Sequence, residues 1–185
     1  MTRLINGLVS ADFLRVSDSF STEGAGPGRP ASIIKLNPDC GCIIGVDVGE
    51  HVIQVALGDM NGNILAKSKK PTDAEEGGDV TCKNIAAGVD EVLAEHRAQG
   101  KQDQPLRAIT IGAPGTIDPI SSNIVKAPMI NGWSNFDLKG KLREYLPVVP
   151  LRIENDNNAA AIGEYAEGVA KGVDNFVYAL SLIHI

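Results

Sequence analysis

The central part of the chain consists of short apolar or alternating segments separated by tight turns. CIIGVDVG, VIQVALGD and ILAKSKK follow one another, and the turn sequence MNGN joins the second segment to the third. Segments of this length, bounded by Gly and Asn, are typical of strands joined by hairpin turns. We therefore predict a three-stranded antiparallel meander over residues 43–70.

A helical period replaces the alternation further along the chain. Ile85, Val89, Val92 and Leu93 fall on one face of a helix predicted over Val80–Gln99, and charged residues fall on the opposite face. A pattern of this kind predicts a helix that packs its apolar face against the meander.

Three further apolar segments follow this helix. LRAITIGAPG and VVPLRIEND predict buried strands, and DNFVYALSL predicts a last one. A short helix capped by Asn135 or Asp137 and a longer helix over residues 158–169 are predicted between them, whereas residues 116–133 show no regular pattern. Three strands followed by alternating helices and strands predict an α/β domain, with a mixed sheet covered by helices.

The N-terminal part has a different character. Leu4, Ile5, Leu8 and Val9 recur at helical spacing after Thr2, a residue type that caps helices. SDSFSTEGAGPGRP predicts a turn or a flexible connection, and ASIIKLN predicts a short strand. The chain stops within a strand pattern and begins with what looks like half a motif, so we expect it to be incomplete at both ends.

Composition narrows the class of protein. The 185 residues are 43% hydrophobic and 22% charged, which is typical of a soluble globular domain. No apolar run approaches the ~20 residues that cross a bilayer, so we expect no membrane partner. The net charge of −6 argues against broad nonspecific nucleic-acid binding, although a small DNA-binding unit at one end is compatible with it. Cys40, Cys42 and Cys82 lack metal-ligand spacing, which predicts free thiols in a reducing cytoplasm and no metal site.

Three predicted strands end in polar or glycine-rich segments. They are Asp47-Val48-Gly49, Gly112-Ala113-Pro114-Gly115 and Glu154-Asn155-Asp156. In α/β sheets, ligands bind outside the carboxyl ends of strands. The three segments together therefore predict a binding site.

Asp156 is the candidate general base, because a carboxylate beside a bound hydroxyl can accept its proton during phosphoryl transfer. Asn155 could hydrogen-bond sugar hydroxyls, and Gly49 would let a phosphate approach the backbone near Asp47. The alternative is structural: Asp156 or Asn157 caps the following helix, which contributes about 1 kcal/mol, and the glycines only form turns. Both interpretations stay open on spacing alone.

The aromatic and histidine residues give weaker signals. Trp133, the only tryptophan, is predicted to anchor the core rather than to line a ligand site. His51, His96 and His184 show no spacing relation to a cysteine or to one another, and we predict that they lie at the surface.

Four segments resemble one known family. In this order, IIGVDVG, ITIGAPGTID, APMINGW and ENDNNAAAIGE are similar to motifs of the ROK family of sugar kinases and sugar-responsive repressors. The last segment is close to the family signature E-N-D-x-N-A-A-A-x-G-E. The resemblance extends from about Gly28 to Leu182. It implies that residues 39–185 form the first half, or N-terminal lobe, of an actin-like ATPase domain, which is ribonuclease H-like.

The resemblance also implies roles for the matching residues. Asp156 matches the family's catalytic aspartate, which deprotonates the sugar hydroxyl in the kinases, and Asn155 matches a sugar-binding amide. The other matches are Gly112, Pro114 and Gly115 in the loop beside the sugar, and Asp47 and Gly49 at the start of the first phosphate loop.

Two departures from the family pattern affect these roles. The kinases carry D-x-G-G-T at the first loop, whereas Glu50 and His51 replace the second glycine and the threonine here. Glu50 places negative charge where ATP phosphates would lie. In the family's P-N-L-x-G-W segment, Met129 replaces a sugar-contacting asparagine, and Asn131 is the candidate substitute. The family's second phosphate loop and its zinc motif would follow YALSL, so zinc is expected only beyond this chain.

The N-terminal segment distinguishes the two branches of the family. A kinase would begin close to Ile43, whereas TRLINGLVSADFLRV, a turn with GRP and SIIKLNPD resemble the last helix and wing of the winged helix-turn-helix of ROK repressors. Residues 1–38 would then be a partial winged helix-turn-helix and linker. The candidate DNA-binding residues are Thr2, Arg3 and Asn6 in the major groove and Arg29 in the minor groove. The alternative is a plain amphipathic helix with a flexible tail.

These patterns lead to three hypotheses. The first is a sugar-responsive transcriptional regulator whose effector binds near Asn155 and Asp156, and whose full-length form binds operator DNA as a dimer or tetramer. The second is an ATP-dependent hexose or N-acetylhexosamine kinase, with Asp156 as base and ATP with Mg²⁺ as cofactors. The third is a misassembled reading frame without independent activity.

Overall fold

The computed structural model describes residues 3–17, 33–101 and 104–180. The helices are α1 (Arg3–Ser10), α2 (Gly78–Ala98), α3 (Leu138–Leu142) and α4 (Asp156–Glu167). The strands are β1 (Leu14–Ser17), β2 (Ile33–Leu36), β3 (Cys42–Val48), β4 (Val52–Asp59), β5 (Ile64–Pro71), β6 (Leu106–Ala113), β7 (Thr116–Ile117), β8 (Ile124–Lys126), β9 (Ser134–Phe136) and β10 (Leu151–Asn155).

A five-stranded mixed sheet in the order β10-β6-β3-β4-β5 forms the centre of the fold. The antiparallel meander predicted over residues 43–70 is confirmed, because β4 pairs with both β3 and β5 in antiparallel fashion. β6 pairs in parallel with β3 on one side and with β10 on the other. The carboxyl ends of these three strands therefore lie at the same edge of the sheet.

Helix α2 covers one face of the sheet and supplies much of the core. Ile85, Val89 and Val92 are completely buried, so the predicted apolar face is confirmed. They join one cluster with alternate residues of the strands, among them Val55 and Ile111. Burial of each such side chain stabilises the fold by about 1.5–3 kcal/mol, so the α2–sheet interface is a substantial source of stability.

Residues 116–133 are more regular than predicted. β7, β8 and β9 form a small antiparallel sheet beside the main one. Its strands are two or three residues long, which is too short for a period to be visible in the sequence. Trp133 is 1% exposed and stacks on Phe136 with ring centroids 5.8 Å apart, so its predicted role as a core anchor is confirmed.

Two other predictions are wrong. His96 is buried rather than at the surface, because it lies one helical turn after Val92 and continues the apolar stripe of α2. His51 is exposed, as predicted, and His184 lies outside the described residues. The strand predicted from DNFVYALSL is not formed by residues 174–180. Phe176 stacks instead on Tyr165 of α4, with the ring centroids 6.0 Å apart.

The N-terminal residues form a helix and a two-stranded hairpin. β1 and β2 pair in antiparallel fashion, with Val16 opposite Ile34. β2 confirms the strand predicted from ASIIKLN, whereas β1 was not predicted because a polar break precedes it. Among the described residues, no helix has the length and apolar character that crossing a membrane requires.

Two helical glycines allow a test of the α2–sheet packing. A Cβ at Gly88 would lie 2.7 Å from Val55 Cγ2, whereas a Cβ at Gly163 of α4 would meet nothing within 4 Å. Replacing glycine by alanine within a helix gains about 1 kcal/mol, but overpacking a core costs about 1–3 kcal/mol. We expect Gly88→Ala to lower the free energy of unfolding in urea by ~1 kcal/mol and Gly163→Ala to raise it. A stabilising Gly88→Ala would contradict the packing described here.

Candidate functional site

A cavity of about 530 Å³ lies at the carboxyl ends of β3 and β6, beside the start of α4. Four of the predicted site residues line it: Asp47, Gly49, Gly112 and Asp156. Register explains this arrangement, because Gly112 pairs with Asp47 of β3 on one side and with Glu154 of β10 on the other. The structure thus brings the three predicted segments to one concave surface, which Tyr178 and Leu180 also line.

Two carboxylates, those of Asp47 and Asp156, line this cavity. Partial desolvation of Asp47 in the cavity raises its pKa, and the negative charge of Asp156 raises it further. Asp156 is half-buried, and its Oδ1 accepts a hydrogen bond from the Asn157 N–H at 2.8 Å. A carboxylate held in this way can accept a hydrogen bond or a proton from a ligand hydroxyl.

Asn155, rather than Asp156 or Asn157, caps α4. Its Oδ1 accepts a hydrogen bond from the Asn158 N–H at 3.2 Å, and its Nδ2 donates to the Gly115 carbonyl at 2.9 Å. The alternative interpretation of the sequence was therefore right that this segment caps a helix but wrong about the residue. The cap is thus Asn155, whereas Asp156 binds the Asn157 N–H of the first turn through Oδ1.

Glu154 has a role that the sequence pattern did not assign to it. Its carboxylate accepts hydrogen bonds from Arg152 Nη2 at 2.9 Å, Asn158 Nδ2 at 3.1 Å and the Asn155 N–H at 3.1 Å. The bond from Asn158, followed by that from Arg152, lowers the pKa of Glu154. Glu154 therefore stays ionised and orders the first turn of α4, whereas Glu164 binds the Val169 N–H at the opposite end of that helix.

The loop after β6 needs glycine for packing. Gly115 has φ of 91°, and a Cβ there would lie 2.8 Å from Ala127 Cα. At Gly112 a Cβ would be at ordinary contact distance, 3.6 Å, from both Ala159 Cβ and Asp156 Cα. Pro114 between them is buried. Packing of the fold therefore requires glycine at position 115, whereas the space beside Gly112 is part of the cavity.

The β3–β4 turn is a poor cradle for phosphate. The Gly49 N–H donates to the Val52 carbonyl at 3.1 Å, so it is not available to a ligand. Glu50 and His51 are exposed and line a second cavity of about 380 Å³. Its other lining residues are Asp73, Ala74, Glu75, Glu76 and Met129. Negative charge from four carboxylates disfavours the phosphates of a nucleoside triphosphate in this cavity.

The remaining predicted site residues lie elsewhere or outside the described residues. Asn131 donates from Nδ2 to the Glu75 carbonyl at 3.3 Å, and it is not among the residues that line the Asp156 cavity. Arg3 and Asn6 are exposed on α1, whereas Thr2 and Arg29 lie outside the described residues. Over residues 3–17, 33–101 and 104–180, no group of three or more His, Cys, Asp or Glu side chains is arranged to hold a metal ion. The three thiols are free and buried.

Comparison with known proteins identifies the family. Residues 43–181 match the ROK family. The chain belongs to this family. It is 37% identical to a glucokinase of Halalkalibacterium halodurans over 134 residues, which are 72% of the chain and 39% of that protein. It is 33% identical to the xylose repressor of Bacillus subtilis over 158 residues, which are 84% of the chain and 38% of the repressor.

Solved structures show the same fold. A ROK family glucokinase from Streptomyces griseus, in complex with glucose and AMPPNP, has a TM-score of 0.61 and 32% identity over 71% of this chain and 38% of that one. A ROK family transcriptional regulator, a homolog of the E. coli MLC protein, has a TM-score of 0.65 and 19% identity, covering 88% and 39%. These matches confirm the predicted mixed α/β fold of the actin-like ROK type. The chain spans about two fifths of the length of the relatives it matches.

The pair of carboxylates gives the first test of the site. Asp156→Asn should lower the pKa of Asp47, because it removes the second of the two causes that raise it. Carbon-detected NMR titration of the Asp47 carboxyl measures this directly. Asp137→Asn, which changes the carboxylate that caps α3, is the control and should leave the Asp47 pKa unchanged. An Asp47 titration curve that does not respond to Asp156→Asn would contradict the described geometry.

The same shift has a consequence for stability. The folded-state pKa of Asp47 is raised above its unfolded value, so its contribution favours folding at acid pH and is lost as pH rises through the raised pKa. We therefore expect Asp47→Asn to raise the free energy of unfolding at neutral pH and to have less effect below the ordinary aspartate pKa. Urea unfolding at the two pH values measures the difference.

Proposed function

We propose that the complete protein is a sugar-responsive transcriptional regulator of the ROK type. The observation that carries this proposal is the folded unit of α1, β1 and β2, which precedes the region that matches the family. A helix followed by a two-stranded hairpin has the order of the last helix and wing of a winged helix-turn-helix. A kinase lobe that begins at β3 does not require such a unit.

The extent of the similarity to a repressor supports the same proposal. Residues 43–185 make up little more than three quarters of the chain. The match to the xylose repressor covers 84% of the chain and so includes residues before Ile43, whereas the match to the glucokinase covers 72%. Similarity upstream of β3 is thus found with a repressor.

The cavity beside α4 is the proposed effector site. Asp156 and Asp47 offer carboxylate oxygens to hydroxyl groups, and Asn155 holds the start of α4 against the Gly115 carbonyl. Sugars present many hydroxyl donors, and charge-assisted hydrogen bonds to carboxylates are the strong ones. Gly112, Pro114 and Gly115 shape the adjoining loop, whereas Asn131, the candidate substitute for the asparagine that Met129 replaces, does not line this cavity and is not assigned to the effector site.

The turn after β3 weighs against the kinase alternative. Glu50 extends an acidic cavity, and the Gly49 N–H is bonded within the hairpin. One observation favours the kinase alternative: the carboxylate of Asp156 lines the cavity, and Asp156 matches the position of the base in the kinases. In that case Asp47 and Gly49 would lie beside ATP and Mg²⁺.

The exposed face of α1 is the proposed DNA-binding surface. Arg3 and Asn6 are exposed there, and Thr2 and Arg29 complete the proposed set. Arginine and asparagine are the residue types that read base edges in the major groove. We further propose a cytoplasmic homo-oligomer, so that two such units can bind two half-sites. Zinc, if the complete protein binds it, would be held outside this chain.

An ATP-consumption assay separates the two candidate functions. The complete protein should show no sugar-dependent ATP hydrolysis or transfer against a panel of hexoses and N-acetylhexosamines, while isothermal titration detects binding of at least one sugar. Asp156→Asn should weaken that binding by about 1–3 kcal/mol, because a hydrogen bond to a charged group is lost. ATP turnover that disappears in Asp156→Asn would overturn the proposal in favour of the kinase.

DNA binding supplies the second test. DNA selected from a random pool by the complete protein should bind Arg3→Ala more weakly by about 1–3 kcal/mol if Arg3 contacts a base. Arg97→Ala, which changes an exposed arginine of α2, is the matched control and should bind as the wild type does. Failure of the complete protein to enrich any sequence would refute the regulatory function.

A further inference from the structure

The N-terminal helix and hairpin are attached to the sheet through a compact polar contact, which we call the junction. It consists of Asp12, Phe13, residues 37–41, Gln104 and Arg107. The junction lies where β3 and β6 begin, at the opposite end of these strands from the cavity. The proposed function does not assign a role to any of these residues.

Asn37 connects the hairpin to residues 38–41, the linker that leads into β3. Its side chain is completely buried, and its Nδ2 donates to the Asp12 carbonyl at 2.7 Å. Its backbone N–H donates to the Phe13 carbonyl at 2.9 Å, and its Oδ1 accepts a hydrogen bond from the Asp39 N–H at 3.1 Å. A buried amide that uses both its donor and its acceptor in this way fixes one geometry, because any displacement leaves a buried polar group unpaired.

Arg107, the second residue of β6, binds the linker and the N-terminal unit at once. Its Nε and Nη2 donate to the Cys40 carbonyl at 3.1 and 2.7 Å. Its guanidinium carbon lies 4.9 Å from the centroid of the Phe13 ring, within the range of a cation–π interaction. Gln104 adds a bond from Nε2 to the Gly41 carbonyl at 2.8 Å.

The requirement for glycine at position 41 comes from the Arg107 side chain and not from the backbone conformation of Gly41. Its φ of 171° is extended, which any residue adopts. A Cβ at this position, however, would lie 2.5 Å from Arg107 Cγ and 2.7 Å from its Nε. Glycine is therefore required only while the Arg107 side chain lies across the linker. This makes Gly41→Ala a way to displace Arg107 without altering its charge.

Strand β6 connects the junction directly to the cavity. It carries Arg107 at its beginning and runs through Ile109 and Ile111, which are 1% and 0% exposed, to Gly112 at the cavity. It is hydrogen-bonded on both sides, to β3 and to β10. A strand held in this way moves as a unit, because close-packed interiors shift between discrete arrangements rather than deform continuously.

We propose that Arg107 is a positioning residue that fixes the N-terminal helix and hairpin on the base of β6, so that this unit follows the strand that carries the cavity loop. Only the purpose of this attachment rests on the proposed function. A DNA-binding unit must be held rigidly if a sugar in the cavity is to change the orientation of that unit. The attachment itself is a separate, measurable property.

Hydrogen exchange followed by mass spectrometry on the complete protein tests the attachment. Arg107→Met removes the hydrogen bonds to Cys40 and the cation–π contact, and Gly41→Ala displaces the arginine sterically. Both should accelerate amide exchange in residues 8–17 and 33–41 at least tenfold, without a change in β3, β4 and the buried part of α2. Arg97→Met, a matched change of an exposed arginine, should alter neither region.

Two results would overturn the proposal. The first is unchanged exchange at the junction in both variants, which would mean that Arg107 does not hold the unit. The second is a uniform acceleration over the whole sheet together with a lower melting temperature, which would mean that Arg107 only stabilises the fold. If Arg107→Met unfolds the protein, Gly41→Ala decides by the same criteria.

A second measurement distinguishes this proposal from the proposed function. D-glucose and D-xylose are each added to the complete wild-type protein and to Gly41→Ala, and exchange is compared with and without sugar. A sugar that binds should change exchange at residues 8–17 in the wild type and not in the variant. Equal responses in both proteins would refute transmission through Arg107. If the variants loosen the junction but the complete protein binds no DNA, only the regulatory function is refuted.

Discussion

The parallel pairing of β6 with both β3 and β10 is the constraint on which the rest of the structure depends. It places Gly112 between Asp47 and Glu154 in register. Since side chains alternate between the two faces of a strand, a shift of one residue would turn the polar ends away from the cavity and expose Ile109 and Ile111, which lie in the core. The hydrophobic core and the candidate site are therefore fixed by the same hydrogen bonds, and neither can change register without the other.

The sequence was sufficient for those parts of the fold that have a long, clear period. The meander and α2 were predicted correctly because seven or more residues repeat one pattern, whereas β7 to β9 are too short to show one. The surface position predicted for His96 was wrong because His96 lies one turn after Val92, on the apolar stripe of α2, and is buried there. Three of the segments that meet at the cavity could be named from the sequence, but the cap at Asn155 could not, since four neighbouring residues are all capable of capping.

The structure separates a retained part of the family pattern from an altered one. At the start of α4 the acid and amide groups are retained, and hydrogen bonds to Gly115 and Asn158 hold them in place. At the turn after β3, Glu50 adds negative charge beside three other carboxylates. The retained groups serve hydroxyl binding, whereas the added charge of Glu50 acts against phosphate binding. The added negative charge therefore lies on the phosphate side of the site.

That asymmetry supports the proposed regulator, which would sense a sugar without phosphorylating it. A kinase needs both halves of the site, because transfer requires the phosphate and the acceptor hydroxyl in line. A regulator needs the hydroxyl-binding half and a mechanical connection from it to a second surface. In this chain β6 is both the wall of the cavity and the support of the N-terminal unit, with the Phe13–Arg107 contact at one end and Gly112 at the other. A change on the phosphate side would leave this connection untouched, so the proposed regulator and a kinase can share one core.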